Sequence, residues 1–228
     1  MKKVFIILFL FNILLYSKTL DESLFLAVKY NNIEEVKSYL AKGANPNAQN
    51  EYGFTALMYA TLIGYDDIAK LLIEEGTDVN IQDKAGATAL MYTARNTNYE
   101  MVEFLLKNGA DVNIKNKREY TPLIYLGMGE GNFNNKSFQE YRIKLAEVLL
   151  EKGADINAKD YNGYTSLIWA CSSYGSRFAE PYVKFLVEKG ADINIENDYG
   201  DTALDIAEHL KLRKLVSILK KAQRTQRK

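Results

Sequence analysis

The sequence predicts an all-α solenoid of about six helix-turn-helix units. The first observation is a phrase of five residues that recurs along the chain: glycine, a small residue, Asp or Asn, a branched residue or proline, and Asn. Its copies begin at Gly43, Gly76, Gly109, Gly153 and Gly190. The second observation is their spacing of 33, 33, 44 and 37 residues, because a period of this length is typical of stacked supersecondary units. A single pair of short helices cannot bury its apolar face alone, so neighbouring units are expected to stabilise one another.

Residues 51–83 show how one unit is built. Thr55 stands at an N-cap position, where its hydroxyl can accept from the free N–H groups of the next turn, and residues 56–62 are predicted to form the first helix. Asp66 opens a second helix with negative charge at the positive end of the helix dipole. Gly76 ends that helix, because glycine adopts the left-handed conformation at little cost.

The other units repeat these features. Threonine stands at the same cap position as Thr88, Thr121, Thr165 and Thr202. The second helices carry apolar residues at helical spacing: Met101, Val102, Leu105 and Leu106, then Leu145, Val148, Leu149 and Leu150, then Val183, Phe185 and Leu186. Since each unit carries the same signals in the same order, the sequence predicts one small fold repeated along the chain.

The cap threonine opens a second recurring phrase. Its copies are Thr55-Ala56-Leu57-Met58, Thr88-Ala89-Leu90-Met91, Thr121-Pro122-Leu123-Ile124, Thr165-Ser166-Leu167-Ile168 and Thr202-Ala203-Leu204-Asp205. This phrase resembles the Thr-Pro-Leu-His phrase of ankyrin repeats, and the resemblance covers residues 20–221. It implies the ankyrin fold and a concave groove that binds a partner. Every copy lacks the histidine that ties neighbouring loops in that family, and we expect Met and Ile to pack there instead.

The two phrases divide the chain into segments. We expect a signal peptide at residues 1–17, an N-terminal capping repeat at 18–50, ankyrin repeats at 51–83, 84–116, 117–160 (with an insertion) and 161–197, and a C-terminal capping repeat with a basic tail at 198–228.

The first 17 residues differ in kind from the rest. Lys2 and Lys3 precede an apolar run from Val4 to Leu15, and Ser17 follows as a small residue at a cleavage position. This order is typical of a secretory signal peptide; an uncleaved anchor or an unusual capping helix is the alternative. The run is too short to span a bilayer core of about 30 Å. We therefore expect a secreted or periplasmic, bacterial protein with no stable membrane insertion after cleavage.

Composition excludes several classes of site. The chain is 47% hydrophobic and 25% charged with a formal net charge of zero, so charge gives no reason to expect nucleic acid as a partner. A single Cys and a single His exclude an internal disulfide and the usual clusters of metal ligands. We expect no cofactor, no metal and no enzymatic activity.

The conspicuous ionisable residues follow the repeat. Asp78, Asp111, Asp155 and Asp192 stand at one offset, and a catalytic pair would break that symmetry, so we interpret these residues as closing turns. Cys171 is interpreted as a small buried residue of a first helix, and His209 as a surface residue.

The residues that vary between units are the candidates for binding. Tyr59, Tyr92, Tyr125 and Trp169 occupy one place in four successive first helices. They either face the groove or stack on each other as a core ladder, and both readings stay open. Tyr, Trp and Arg dominate binding hot spots. With the turn before each threonine included, the candidate partner-binding residues are Tyr52, Phe54, Tyr59, Tyr92, Arg95, Arg118, Tyr120, Tyr125, Tyr164 and Trp169.

Two insertions and a basic tail complete the pattern. The fourth unit has extra residues at 129–139 and the fifth around 173–178, which are expected to form loops on the binding side or neutral surface loops. We expect a monomeric, non-catalytic scaffold that binds a partner protein through its groove. The alternatives are an exported factor that acts on a host protein, and a binder of anionic surfaces or nucleic acid that uses the tail at residues 220–228.

Overall fold

The computed structural model describes residues 20–96, 98–128, 136–172 and 179–226. Within these ranges it contains twelve helices and no strand, so the predicted all-α fold class is confirmed. The helices are α1 at residues 20–29, α2 Ile33–Ala41, α3 Ala56–Ile63, α4 Asp66–Glu74, α5 Ala89–Arg95, α6 Tyr99–Lys107, α7 Pro122–Met128, α8 Lys136–Glu151, α9 Ser166–Ser172, α10 Glu180–Glu188, α11 Ala203–His209 and α12 Arg213–Gln226. The signal-peptide segment and the residues 173–178 lie outside the described ranges.

The chain divides into two compact units, which meet in sequence between Ala89 and Leu90. In the first unit α3 and α2 both pack against α4. In the second unit α7, α9 and α11 pack side by side as one row, and α6, α8, α10 and α12 form a second row beside it. This is the stacking that the repeat predicts, with first helices in one layer and second helices in the other.

The predicted helix signals act as expected. The Thr55 hydroxyl accepts from the N–H of Met58 at 3.2 Å, and Thr202 does the same for Asp205 while the Asp205 carboxylate accepts from the Thr202 N–H. Gly109 has a φ of 88°, the left-handed conformation predicted after a second helix. The boundaries of the helices at these ends therefore follow from local chemistry.

The repeated acids close turns, as interpreted from the sequence. Each carboxylate oxygen accepts from the N–H two residues on, at 2.8–2.9 Å, in Asp78, Asp111, Asp155 and Asp192. The asparagine at the end of the phrase then joins one loop to the next. Its Oδ1 accepts from the aspartate N–H of the following copy in the pairs Asn47–Asp78 at 2.8 Å, Asn113–Asp155 at 3.0 Å and Asn157–Asp192 at 2.9 Å.

These asparagines supply ties of the kind that the missing histidine makes in ankyrin repeats. The residues at the histidine position in four units are about 1% exposed and pack as core side chains: Met58, Met91, Ile124 and Ile168. Asparagine thus supplies the polar ties between loops, and Met or Ile supplies the apolar packing at the position where the resemblance implied a histidine.

Helix α8 carries a fully buried arginine. Arg142 is 1% exposed and donates from Nε to the carbonyl of Leu126 at 2.5 Å and from Nη2 to the carbonyl of Gly127 at 2.8 Å. Its guanidinium carbon lies 3.8 Å from the centroid of the Tyr182 ring, and the Tyr182 hydroxyl lies 3.1 Å from Oγ of Ser166. Burial lowers the pKa of Arg142 to about 10, which leaves the side chain charged at neutral pH.

Arg142 explains how the fourth unit accommodates its insertion. Helix α8 has 16 residues where α4, α6 and α10 have nine each. The guanidinium binds the last carbonyls of α7, where the helix dipole is negative, and so provides the partner that those carbonyls lack. The expectation of a loop throughout residues 129–139 is wrong for Lys136 to Gln139, which are helical because α8 begins there; residues 129–135 lie outside the described ranges.

We predict that Arg142→Met destabilises the protein by about 3 kcal/mol or more, because two carbonyls lose charge-assisted hydrogen bonds in a buried place. Arg142→Lys should lose less, since one ammonium keeps the charge without the paired geometry. Urea titration followed by circular dichroism measures both. The control Lys144→Met lies at an exposed position of the same helix. Equal midpoints for R142M and K144M would contradict the assigned role.

Candidate functional site

One Asx residue organises the turn that precedes each first helix. Its side-chain oxygen accepts from the N–H groups two and four residues on, at 2.8–3.0 Å in every case. These residues are Asn50, Asp83, Asn116, Asp160 and Asn197. Sequence reasoning missed them, although they recur with the same period as the glycine phrase. Their effect is to fix the turn from which the predicted binding residues project.

In two units the second polar atom of this Asx residue bonds an aromatic side chain of the same unit. Nδ2 of Asn116 donates to the Tyr125 hydroxyl at 3.1 Å. Nε1 of Trp169 donates to Oδ2 of Asp160 at 2.8 Å. The turn and the aromatic ring nine residues later are therefore held together, so each ring has a defined orientation before any partner arrives.

Four of the predicted residues form an aromatic cluster in the second unit: Tyr120, Tyr125, Tyr164 and Trp169. The ring centroids of Tyr120 and Tyr125 are 5.6 Å apart at 78°, those of Tyr120 and Trp169 are 6.2 Å apart at 86°, and those of Tyr164 and Trp169 are 5.0 Å apart at 41°. Edge-to-face contacts of this kind are favourable between aromatic quadrupoles. The cluster is one connected set of rings.

The cluster combines the two readings that the sequence left open. Tyr120 is 6% exposed and packs with Ile124 and Ala158 as core. Tyr125, Tyr164 and Trp169 are half-buried and keep part of their surface in solvent. Tyr120 thus supports the rings of Tyr125 and Trp169, and Tyr164 packs against Trp169. The three half-buried rings are the ones that a partner could reach.

The remaining candidate residues lie outside this cluster. In the first unit Tyr52 is 64% exposed, Phe54 is half-buried, and Tyr59 packs against Phe25 with ring centroids 5.4 Å apart. In the second unit Tyr92 is half-buried, and both Arg95 and Arg118 are exposed. We therefore take the aromatic cluster, whose rings contact one another, as the candidate site.

A strained residue stands directly before Tyr120. Glu119 has a φ of 59°, whereas four other units have glycine at this place: Gly53, Gly86, Gly163 and Gly200. Its carboxylate pairs with Lys115 at 3.0 Å, and Lys115 also donates to the carbonyl of Lys159 at 3.1 Å. A side chain in the left-handed region costs free energy. Asn31 and Lys211 also have a positive φ, so this strain is not particular to the cluster.

Two ionisable residues singled out in the sequence lie where they were expected. Cys171 is buried in α9, as predicted, and burial raises the pKa of its thiol to about 12. His209 is exposed, as predicted. Among the residues that the structure describes, no group of His, Cys, Asp and Glu could hold a metal ion. Across the same described ranges, no helix combines the length and the apolar character needed to cross a membrane.

Comparison with known proteins agrees with the geometry. The family model for ankyrin repeats in three copies matches residues 24–126 and 136–227. No curated protein matches the chain.

We predict that Asp160→Ala costs about 2–4 kcal/mol, because three accepted hydrogen bonds are lost at a position that is 4% exposed. Asp155→Ala should cost less than about 1 kcal/mol, since that exposed carboxylate closes a single turn. Urea titration followed by circular dichroism compares the two. Losses of equal size would mean that the Asx residue does not organise the turn.

Proposed function

The chain belongs to the ankyrin repeat family, and from this premise we propose that it is a non-catalytic scaffold that binds its partner protein through the aromatic cluster. Ankyrin repeats indicate a protein-interaction scaffold. The finer assignment is supported by one observation: two half-exposed rings, Tyr125 and Trp169, are held by hydrogen bonds to the turns and pack against the buried Tyr120, and a third, Tyr164, lies against Trp169.

The rings are already held in place in the free protein, which favours protein binding. Association costs free energy for every side chain that becomes immobile, about 0.5–1.5 kcal/mol for a side chain with many rotamers. The hydrogen bonds to Asn116 and Asp160 already restrict Tyr125 and Trp169. Large rigid aromatic groups surrounded by polar residues are the usual composition of a hot spot.

The exported location is part of the same proposal. It is supported by the sequence pattern of residues 1–17 alone: two lysines, an apolar run and Ser17. A protein-binding scaffold with such a leader would meet its partner in the periplasm or outside the cell.

The basic C-terminal helix favours a structural role over the binding of anionic surfaces. Lys214 pairs with Glu180 at 2.8 Å and Lys220 pairs with Glu208 at 2.7 Å. These pairs join α12 to α10 and α11 and occupy two of the five cationic residues of α12.

We predict that Trp169→Ala weakens the partner complex by about 2 kcal/mol or more, a hot-spot effect, which is about a 30-fold rise in Kd. The double variant Tyr92→Ala and Tyr125→Ala should act in the same direction. The partner is first captured by crosslinking, and Kd is then measured by calorimetry. Tyr30→Ala, at a position 75% exposed, is the control.

Unfolding midpoints must be measured on the same variants. Weaker binding by a variant with an unchanged midpoint supports the proposal. Affinity that stays intact in the folded fraction of W169A would instead assign the ring to the core and overturn the proposed site.

We predict that residues 1–17 are removed on export, because the apolar run ends at a small residue suited to cleavage. Intact-mass analysis of protein purified from the envelope and from the medium measures the N-terminus. Exported protein that still carries Met1 would be evidence against the proposed leader.

A further inference from the structure

The aromatic cluster ends at Tyr164 and Trp169, and it ends for a reason visible in the repeat. In two preceding units the Asx residue bonds an aromatic side chain nine residues on. In the last unit that position is Ile206, which has no aromatic ring. No aromatic side chain of the last first helix therefore continues the row beyond Trp169.

Two exposed carboxylates border this end of the cluster. Oδ1 of Asp198 lies against Gly163, so close that a Cβ on Gly163 would be 2.8 Å from it. The N–H of Asp198 also donates to the carbonyl of Asn162 at 3.0 Å, which fixes the residue beside the turn that leads into Tyr164.

Asp201 is the second carboxylate. Its N–H donates to Oδ1 of Asn197 at 2.9 Å, which fixes it in the same turn as Asp198. Burial is the main reason why the pKa of Tyr164 is raised; a hydrogen bond with Asn197 lowers this pKa, and the charges of nearby groups that include Asp201 raise it. Among the described residues neither Asp198 nor Asp201 takes part in an ion pair. Tyr199, between them, is 72% exposed.

The opposite end of the cluster carries the opposite charge. Lys117 and Arg118 are exposed and directly precede Glu119 and the buried Tyr120. The surface is thus polarised, with cations beside Tyr120 and carboxylates beside Tyr164. A cationic group would be repelled at the first end and attracted at the second.

We propose that Tyr164 and Trp169, together with Asp198 and Asp201, bind an arginine side chain of the partner protein. A guanidinium group stacks on aromatic rings and donates to carboxylates at the same time. This inference rests on the proposed function and names the chemistry that the partner presents to this end of the cluster.

Trp169 is the only tryptophan of the chain, so its fluorescence reports on this site directly. The probe is the peptide acetyl-Gly-Arg-Gly-Arg-Gly-amide, titrated at low ionic strength, with the corresponding glutamate peptide as comparison. We expect a saturable change with the arginine peptide and none with the glutamate peptide. Absence of a saturable change with the arginine peptide would overturn the inference.

The variant Asp198→Asn with Asp201→Asn tests the carboxylates. It should raise the Kd of the arginine peptide by about fivefold or more, since both charges are lost while side-chain shape is kept. The matched control is Glu74→Gln with Glu75→Gln, which removes the same charge from two exposed positions of the first unit. Equal weakening in both double variants would show a general charge effect and overturn the inference.

The two proposals fail in different ways. If W169A weakens the captured partner but D198N/D201N leaves its Kd unchanged, the scaffold function stands and the arginine inference is wrong. If W169A leaves the Kd of the partner unchanged, the proposed site itself is wrong, whatever the peptide does.

Discussion

The structure depends on the side-chain oxygen of one Asx residue at the start of each repeat, which accepts hydrogen bonds from two backbone N–H groups. Since the Asx residue closes its turn onto the N–H groups two and four residues on, it determines how the chain enters the cap threonine five residues later. It also leaves its second polar atom available to an aromatic residue nine residues on, as in Asp160 and Trp169. One residue thus connects the turn, the beginning of the helix and the candidate binding surface.

A second set of interactions joins one repeat to the next. Asparagine side chains bind the backbone of the following loop, and leucines of the second helices, such as Leu105, Leu149 and Leu186, are fully buried. Neither interaction is available to an isolated repeat, so stability in such an array is a sum over neighbours. Where the fourth unit departs from the repeat length, Arg142 binds the carbonyls at the end of α7.

Much of the fold could be predicted because its signals are local and recur. The threonine caps, the left-handed glycines and the turn-closing aspartates need only residues within five positions of one another, and the structure confirms them. The buried role of Arg142 could not be predicted, because it depends on carbonyls 15 and 16 residues away and on the ring of Tyr182. Glu119 also gave no signal, since its conformation is imposed by a turn that elsewhere contains glycine.

The sequence predicted which aromatic residues form the candidate site, but it did not predict how deeply each ring is buried. The period makes Tyr120 equivalent to Tyr164, and Tyr125 equivalent to Trp169. It does not predict that Tyr120 is buried while the other three rings are half-exposed. The Asx residues were missed because Asn and Asp alternate at that position, which makes the repeat less visible than the invariant glycine phrase.

The most direct test of the account is amide hydrogen exchange of the complex with the captured partner, followed by mass spectrometry. The account predicts that binding slows exchange in peptides that span residues 160–169 and 197–201, because these segments carry the exposed rings and the carboxylates. Slowed exchange confined to α12 or to the first unit, with these two segments unchanged, would contradict it.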